Sequence, residues 1–148
     1  MRVVVDTNIA FSAILNTNSK IASLILQPKS KLNFYSTNHL LEELSEHKQK
    51  LKQLSGYSES DFQRAKTLIV NRIKFINVSL IPLHVYQKSL LLTQNVDIDD
   101  TEFVALAEHI KGKLWTGDKV LSIGLKKKKW ERLITTNELV DLIINKTK

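Results

Sequence analysis

The chain has 148 residues, enough for one domain with a single core and too few for two ordinary ones. Hydrophobic residues make up 43% and charged residues 25%, which excludes a disordered chain, and the absence of cysteine excludes disulfides and thiolate metal sites. The net charge is +7, and residues 111–132, with eight Lys or Arg against Asp118 and Glu131, carry +6 of it.

Arg2 to Val5 reads as the first strand, because three consecutive valines suit a strand buried on both faces of a parallel sheet. Asp6 and Asn8 interrupt the apolar N-terminus, no small-residue cleavage site follows, and no apolar run is long enough to span a bilayer. A cytoplasmic location without a membrane is the expectation. Asn8 to Leu15 and Lys20 to Leu26 read as helices, broken around Asn16-Thr17-Asn18. Leu32 to Tyr35 is the second strand, and Ser36 or Thr37 caps a helix running to about Leu54, which Gly56 stops. Ser58, with Asp61 three residues on, opens a helix to about Arg72. Phe75 to Val78 is the third strand, and Pro82 starts a helix continuing to Thr93. Asp99 or Asp100 opens a helix through Ile110, which Gly112 ends. Lys113 to Thr116 and Leu133 to Thr135 are the last two strands, and Thr135 with Glu138 forms a capping box for a helix to Asn145. Strands alternating with helices predict an α/β fold, a parallel sheet with helices on both faces.

Four acidic positions stand out in this frame. Asp6 directly follows a buried strand, where open α/β sheets place their ligand sites; its bland alternative is the N-cap of the next helix. Asp118 follows the fourth strand through Thr116-Gly117 and has the same two readings. In the helix beginning near His39, the stripe of Leu40, Leu41, Leu44 and Leu51 turns Glu42 to solvent. At roughly 100° per residue, Glu43 lies at the edge of that stripe, where it either leans toward a cleft or stays at the surface within reach of Lys48. Asp97, Asp99, Asp100 and Glu102 crowd four acids into six residues. Here Asp99 with Glu102 reads as a cap, and Asp100 is preferred as the ligand, with Asp99 accessory. Any bound metal must be held by oxygen or histidine, and His39, His47, His84 and His109 show no H-x-x-x-H pairing. An oxygen-only set of Asp6, Asp100 and Asp118 suits one or two Mg²⁺ or Mn²⁺ ions, which activate water against a phosphodiester. A phosphatase acting through a phospho-Asp6 would need a second Asp two residues on, and Asn8 occupies that place. The run Lys126, Lys127, Lys128 and Lys129, with Lys119, would give salt-dependent, sequence-blind contact with nucleic-acid phosphates. Its alternative is a solvated turn. Trp115, Leu121 and Ile123 read as core, and Trp130 as packed under a loop, its alternative being a surface on which a base stacks.

Asp6-Thr7-Asn8 after strand one, Glu42-Glu43-Leu44, Ile98 to Ala107 and Leu114 to Lys119, taken in order, resemble the acidic motifs of the PIN domain family. The resemblance covers essentially the whole chain as a single domain, 1–148. It implies a three-layer α/β/α sandwich with strand order 3-2-1-4-5. It also implies an acidic site at Asp6, Glu43, Asp100 and Asp118, supported by Asn8 and Thr116. The implied activity is an Mg²⁺- or Mn²⁺-dependent endoribonuclease cleaving RNA. Small members similar to this chain resemble VapC-type toxins, which implies an antitoxin partner and a homodimer. The alternative is a catalytically inactive PIN-like module that binds RNA or protein.

Overall fold

The computed structural model describes residues 1–28 and 31–147. Strand β1 (Arg2–Val5) lies at the centre of a five-stranded parallel sheet. It is flanked by β2 (Asn33–Thr37) on one side and β4 (Lys113–Trp115) on the other. β3 (Ile73–Ile76) pairs outside β2, and β5 (Leu133–Ile134) outside β4, giving the order 3-2-1-4-5. The three valines of β1 are fully buried because the pleat sends them to two different cores. Val3 and Val5 join Phe34 and Trp115 in one cluster, and Val4 joins Leu114 in the other.

The first cluster packs under α1 (Thr7–Leu15), α2 (Lys20–Leu26), α3 (His39–Glu46), α4 (Lys48–Ser55), α5 (Glu59–Val70) and α9 (Thr136–Thr147). The second packs under α6 (Leu83–Thr93), α7 (Thr101–Ile110) and α8 (Lys119–Lys127). The result is a three-layer α/β/α sandwich. Its middle helix on the second face, α7, is buried from Thr101 through Ala107, far beyond a one-sided stripe, because the sheet and α6 enclose it together. Among the described residues no single helix is long and apolar enough to cross a membrane; α1 and α2 are apolar together, but they bend by 100° and their apolar faces enter the core.

Most predicted boundaries hold to within two residues, and the caps hold in detail. Ser58 Oγ accepts the Asp61 N–H at 3.1 Å, and Thr135 and Glu138 exchange hydrogen bonds of 3.1 Å each. Gly56 ends α4 in the left-handed region at φ 76°. Several expectations fail. Ser36 and Thr37 are not caps: both belong to β2, where the Ser36 hydroxyl donates to the Val5 carbonyl. The single helix expected to reach Leu54 is two helices, broken at His47. Leu41, one residue off the Leu40–Leu44 line of α3, is exposed, while Leu40, Leu44 and Leu51 lie in the core. Glu102 does not reach back to a cap at Asp99. Instead, Asp97 Oδ1 accepts the Asp99 N–H at 3.1 Å and opens a 3₁₀ turn over Ile98–Asp100 ahead of α7. Ile123 is 56% exposed on the outer side of α8, whereas Leu121 is core as expected. Gly112 is needed one residue later than a stop would be. The left-handed residue ending α7 is Lys111, at φ 56°, and a Cβ on Gly112 would lie 2.8 Å from the Arg2 carbonyl oxygen.

Candidate metal centre

Strand order 3-2-1-4-5 means that the chain leaves β1 toward β2 and returns to β1's other side as β4. The carboxyl ends of β1 and β4 therefore flank the crevice where such sheets bind ligands. Val5 is in register with Trp115, so the next residues, Asp6 and Thr116, are neighbours across the strand ends. Both Asp6 and Asp118 are helix N-caps. Asp6 Oδ1 accepts the Ile9 N–H at 2.9 Å to open α1, and Asp118 Oδ1 accepts the Leu121 N–H at 3.1 Å to open α8. Thr116 Oγ1 accepts the Asp118 N–H at 3.1 Å and fixes that turn. The N-terminus of α7, with Asp100 at the cap position but making no cap bond, supplies the third acidic corner. The capping reading and the site reading of these acids are thus compatible, since three helix N-termini converge on one crevice and their partial positive charge favours carboxylates there.

Carboxylate oxygens of Asp97, Asp100 and Asp118 all lie within 4.8 Å of one another. Among the described residues, no Lys, Arg or His forms an ion pair with any of the three. Burial, then the charge of Asp97, then that of Asp6 push the Asp100 carboxyl up to about 8. Asp6 lies beneath this group, 3% exposed. Burial raises its carboxyl above the ordinary range, opposed by the Thr116 hydroxyl and the Ile9 N–H. Glu43 stands on the other wall, half-buried and raised by burial, while Glu42 is exposed. The hydroxyl of Thr7 lies near enough to oppose the rise in Glu43, yet Thr7 Oγ1 is buried and makes no hydrogen bond of full geometry. These groups border a groove of about 570 Å³. Its acidic end is lined by Glu43, Asp97, Asp99, Asp100 and Asp118, and its apolar end by Phe11, Leu15, Leu51 and Leu54, with Asn8 and Lys50 also on the lining.

Of the acids singled out in the sequence, Asp100, Asp118 and Glu43 thus share one groove with the exposed Asp99, whereas Asp6 is buried, does not line the groove, and acts on Asp100 and Asp118 through its charge. Asp97 is the residue the sequence reading passed over. Its signal was the Asp97-x-Asp99-Asp100 spacing, in which the first Asp caps the turn that carries the other two. Glu102, which the sequence pairs with Asp99 as a cap, is placed elsewhere. It is buried, accepts the Thr37 hydroxyl at 3.0 Å and bonds His39 Nδ1 at 2.5 Å, tying α7 to the end of β2 and to α3. This pairing raises the His39 imidazole above its ordinary range. Lys119 is exposed beside Asp118, but Lys126 to Lys129 lie at the far end of α8, about 12 Å along the helix axis from the carboxylates. Lys128 is engaged there: its Nζ donates to the Leu91 and Leu92 carbonyls at 3.0 Å each, closing the end of α6. Trp130 is buried, its Nε1 donating to Glu108 at 2.6 Å, and is not a stacking surface.

The sequence model described as the PIN domain matches residues 4–138, nearly the full chain. The chain belongs to the PIN domain family. No curated protein matches it. Among solved structures, a chain of the crystal structure of VapBC2 from Rickettsia felis bound to a DNA fragment from their promoter is similar, with a TM-score of 0.65 at 18% identity. That likeness covers 91% of this chain and 97% of the other, so the two folds agree over their whole length. The α/β/α sandwich of this PIN domain is therefore shared with a chain of VapBC2.

Proposed function

We propose that this PIN domain is a divalent-metal-dependent endoribonuclease, the toxin of a toxin–antitoxin pair. The observation that carries the reading is the carboxylate triad of Asp97, Asp100 and Asp118, near the carboxyl ends of β1 and β4 and without an ion pair to any described Lys, Arg or His. Three oxygens at that spacing and the raised Asp100 carboxyl fit a hard cation with incomplete protein coordination, the pattern of Mg²⁺ or Mn²⁺. Asp97, Asp100 and Asp118 would hold it, with Asp6 adding negative charge from below. When bound, such an ion acidifies a water and neutralises charge developing on phosphorus.

The chain's own residues supply the rest. The groove seats a single RNA strand with its phosphate at the acidic end. Glu43, whose carboxylate is made more basic by burial, shares the groove with the triad and is placed to take a proton from the attacking water when ionised. Asn8 at the groove wall orients the phosphate oxygens, and Thr116 holds Asp118 in place through its N–H. Lys50 and Lys119 flank the strand on either side of the acids. Lys126, Lys127 and Lys129 extend that contact without reading bases. Attack in line at phosphorus leaves 5′-phosphate and 3′-hydroxyl ends. A protein antitoxin and a homodimer are the assemblies this reading expects.

The test is cleavage of an end-labelled RNA by the purified chain with Mn²⁺, Mg²⁺ or EDTA. Wild type is expected to cut only with metal, and Asp6→Asn, Asp100→Asn and Asp118→Asn to lose at least 100-fold in rate, as removal of a charge-stabilising group does. Equal cleavage by wild type and variants would mean a contaminant and would sink the reading. RNA binding without Mn²⁺ binding would replace it by a non-catalytic module.

A further inference from the structure

Asp118 and Asp97 belong to different segments, the start of α8 and the connection between α6 and α7, so something must fix their separation. The two segments touch at Gly124. A Cβ built there would lie 2.6 Å from Val96 Cγ2 and 2.7 Å from Val96 Cγ1, closer than real atoms approach. Glycine in the middle of a helix costs about 1 kcal/mol relative to alanine, so α8 gives up stability to let Val96 in. Val96 is β-branched and stiff at χ1, and it cannot swing its methyls aside freely. It is also held from behind: the N–H groups of Val96 and Asp97 both donate to the Thr93 carbonyl at 2.9 Å. One turn further along α8, Lys128 Nζ reaches the Leu91 and Leu92 carbonyls at the end of α6, from which that connection leaves.

The geometry points to a positioning role for Gly124 and Lys128: together they clamp α8 to the Val96–Asp97 connection and thereby set the Asp97–Asp118 spacing on which the proposed cation site depends. The clamp deepens the metal reading, and it also makes a claim about the metal-free protein. Lys128 then serves the carboxylate site from the inside of the fold rather than as a phosphate contact.

The experiment uses the full chain with Mn²⁺ as probe, by titration calorimetry, and backbone amide hydrogen exchange without metal. Gly124→Ala is expected to weaken Mn²⁺ binding about tenfold, in the range for groups that orient metal ligands. Adding Val96→Ala, which removes both clashing methyls, is expected to recover binding to within about threefold of wild type. In the metal-free protein Gly124→Ala speeds exchange at Asp99 and Asp100, whose N–H groups bond Asp97, and leaves β1 unchanged. Unchanged Mn²⁺ affinity in Gly124→Ala, or failure of the double variant to recover it, overturns the clamp. If Gly124→Ala does not fold, Lys128→Met decides by the same two readouts. If wild type binds no Mn²⁺, the metal reading falls by itself, and the exchange pattern alone upholds or overturns the clamp.

Discussion

Asp100 shows how one side chain's surroundings set its chemistry. Its carboxyl is pushed up to about 8 by burial and by Asp97, Asp6 and Asp118. Without metal, the folded state keeps a proton between pH ~4 and ~8 that the unfolded state has lost, so this group's contribution to stability falls as pH rises across that window. A cation reverses the sign. Metal-free protein is therefore expected to melt higher at pH 5.5 than at pH 8, and Mn²⁺ to raise the melting temperature most at pH 8. Asp100→Asn should abolish the Mn²⁺ effect and raise the metal-free melting temperature at pH 8 by roughly 3 °C, with little change at pH 5.5. Differential scanning calorimetry across that pH range checks both. Much of this site was legible in the sequence, because Asp6 and Asp118 follow short apolar runs and helical phase separates Glu43 from Glu42. Asp97 was not. Its role depends on a 3₁₀ turn that no periodicity announces, and Glu102 reads as a cap partner of Asp99 until α7 is known to be enclosed.

At the scale of elements, the helix starts are local and the helix breaks are not. Ser58 and the Thr135–Glu138 pair satisfy orphan N–H groups with side chains one turn away, which is why the sequence alone places them. Ser58→Ala and Thr135→Ala should each destabilise by about 1 kcal/mol, read from chemical denaturation midpoints, and leave Mn²⁺ binding intact. The break at His47 has no such local cause. Phe11 of α1 meets the His47 ring edge-on at 5.7 Å, and Lys48 and Lys52 of α4 both pair with Glu59 of α5, so α4 follows its neighbours rather than the axis of α3. The same bend brings Leu51 and Leu54 to the apolar end of the groove while Glu43 remains at its acidic end.

Across the whole molecule, charge is divided between the two ends of α8. The acids gather at its start and four lysines at its finish, a separation that lets a polyanion be held at one place and met by carboxylates at another. If Lys126, Lys127 and Lys129 contact RNA while Lys128 is internal, the triple change of the first three to Gln should lower the salt slope of RNA binding by about 2, at roughly 0.7 per phosphate contact on single strands. Lys128→Gln should leave that slope unchanged. Fluorescence anisotropy at several salt concentrations separates the two.

The amino-acid order alone determines what depends on near neighbours: the buried β1 valines, the caps, the alternation of strand and helix, and an oxygen-only donor set without cysteine. Side-chain period and turn chemistry act over a few residues, so they can be read directly. Which carboxylates meet was decided only by the tertiary structure. Asp97, Asp100 and Asp118 come together because the sheet reverses its direction of growth at β1 and because Gly124 admits Val96. Both are contacts between segments distant in sequence, for which no local signal exists.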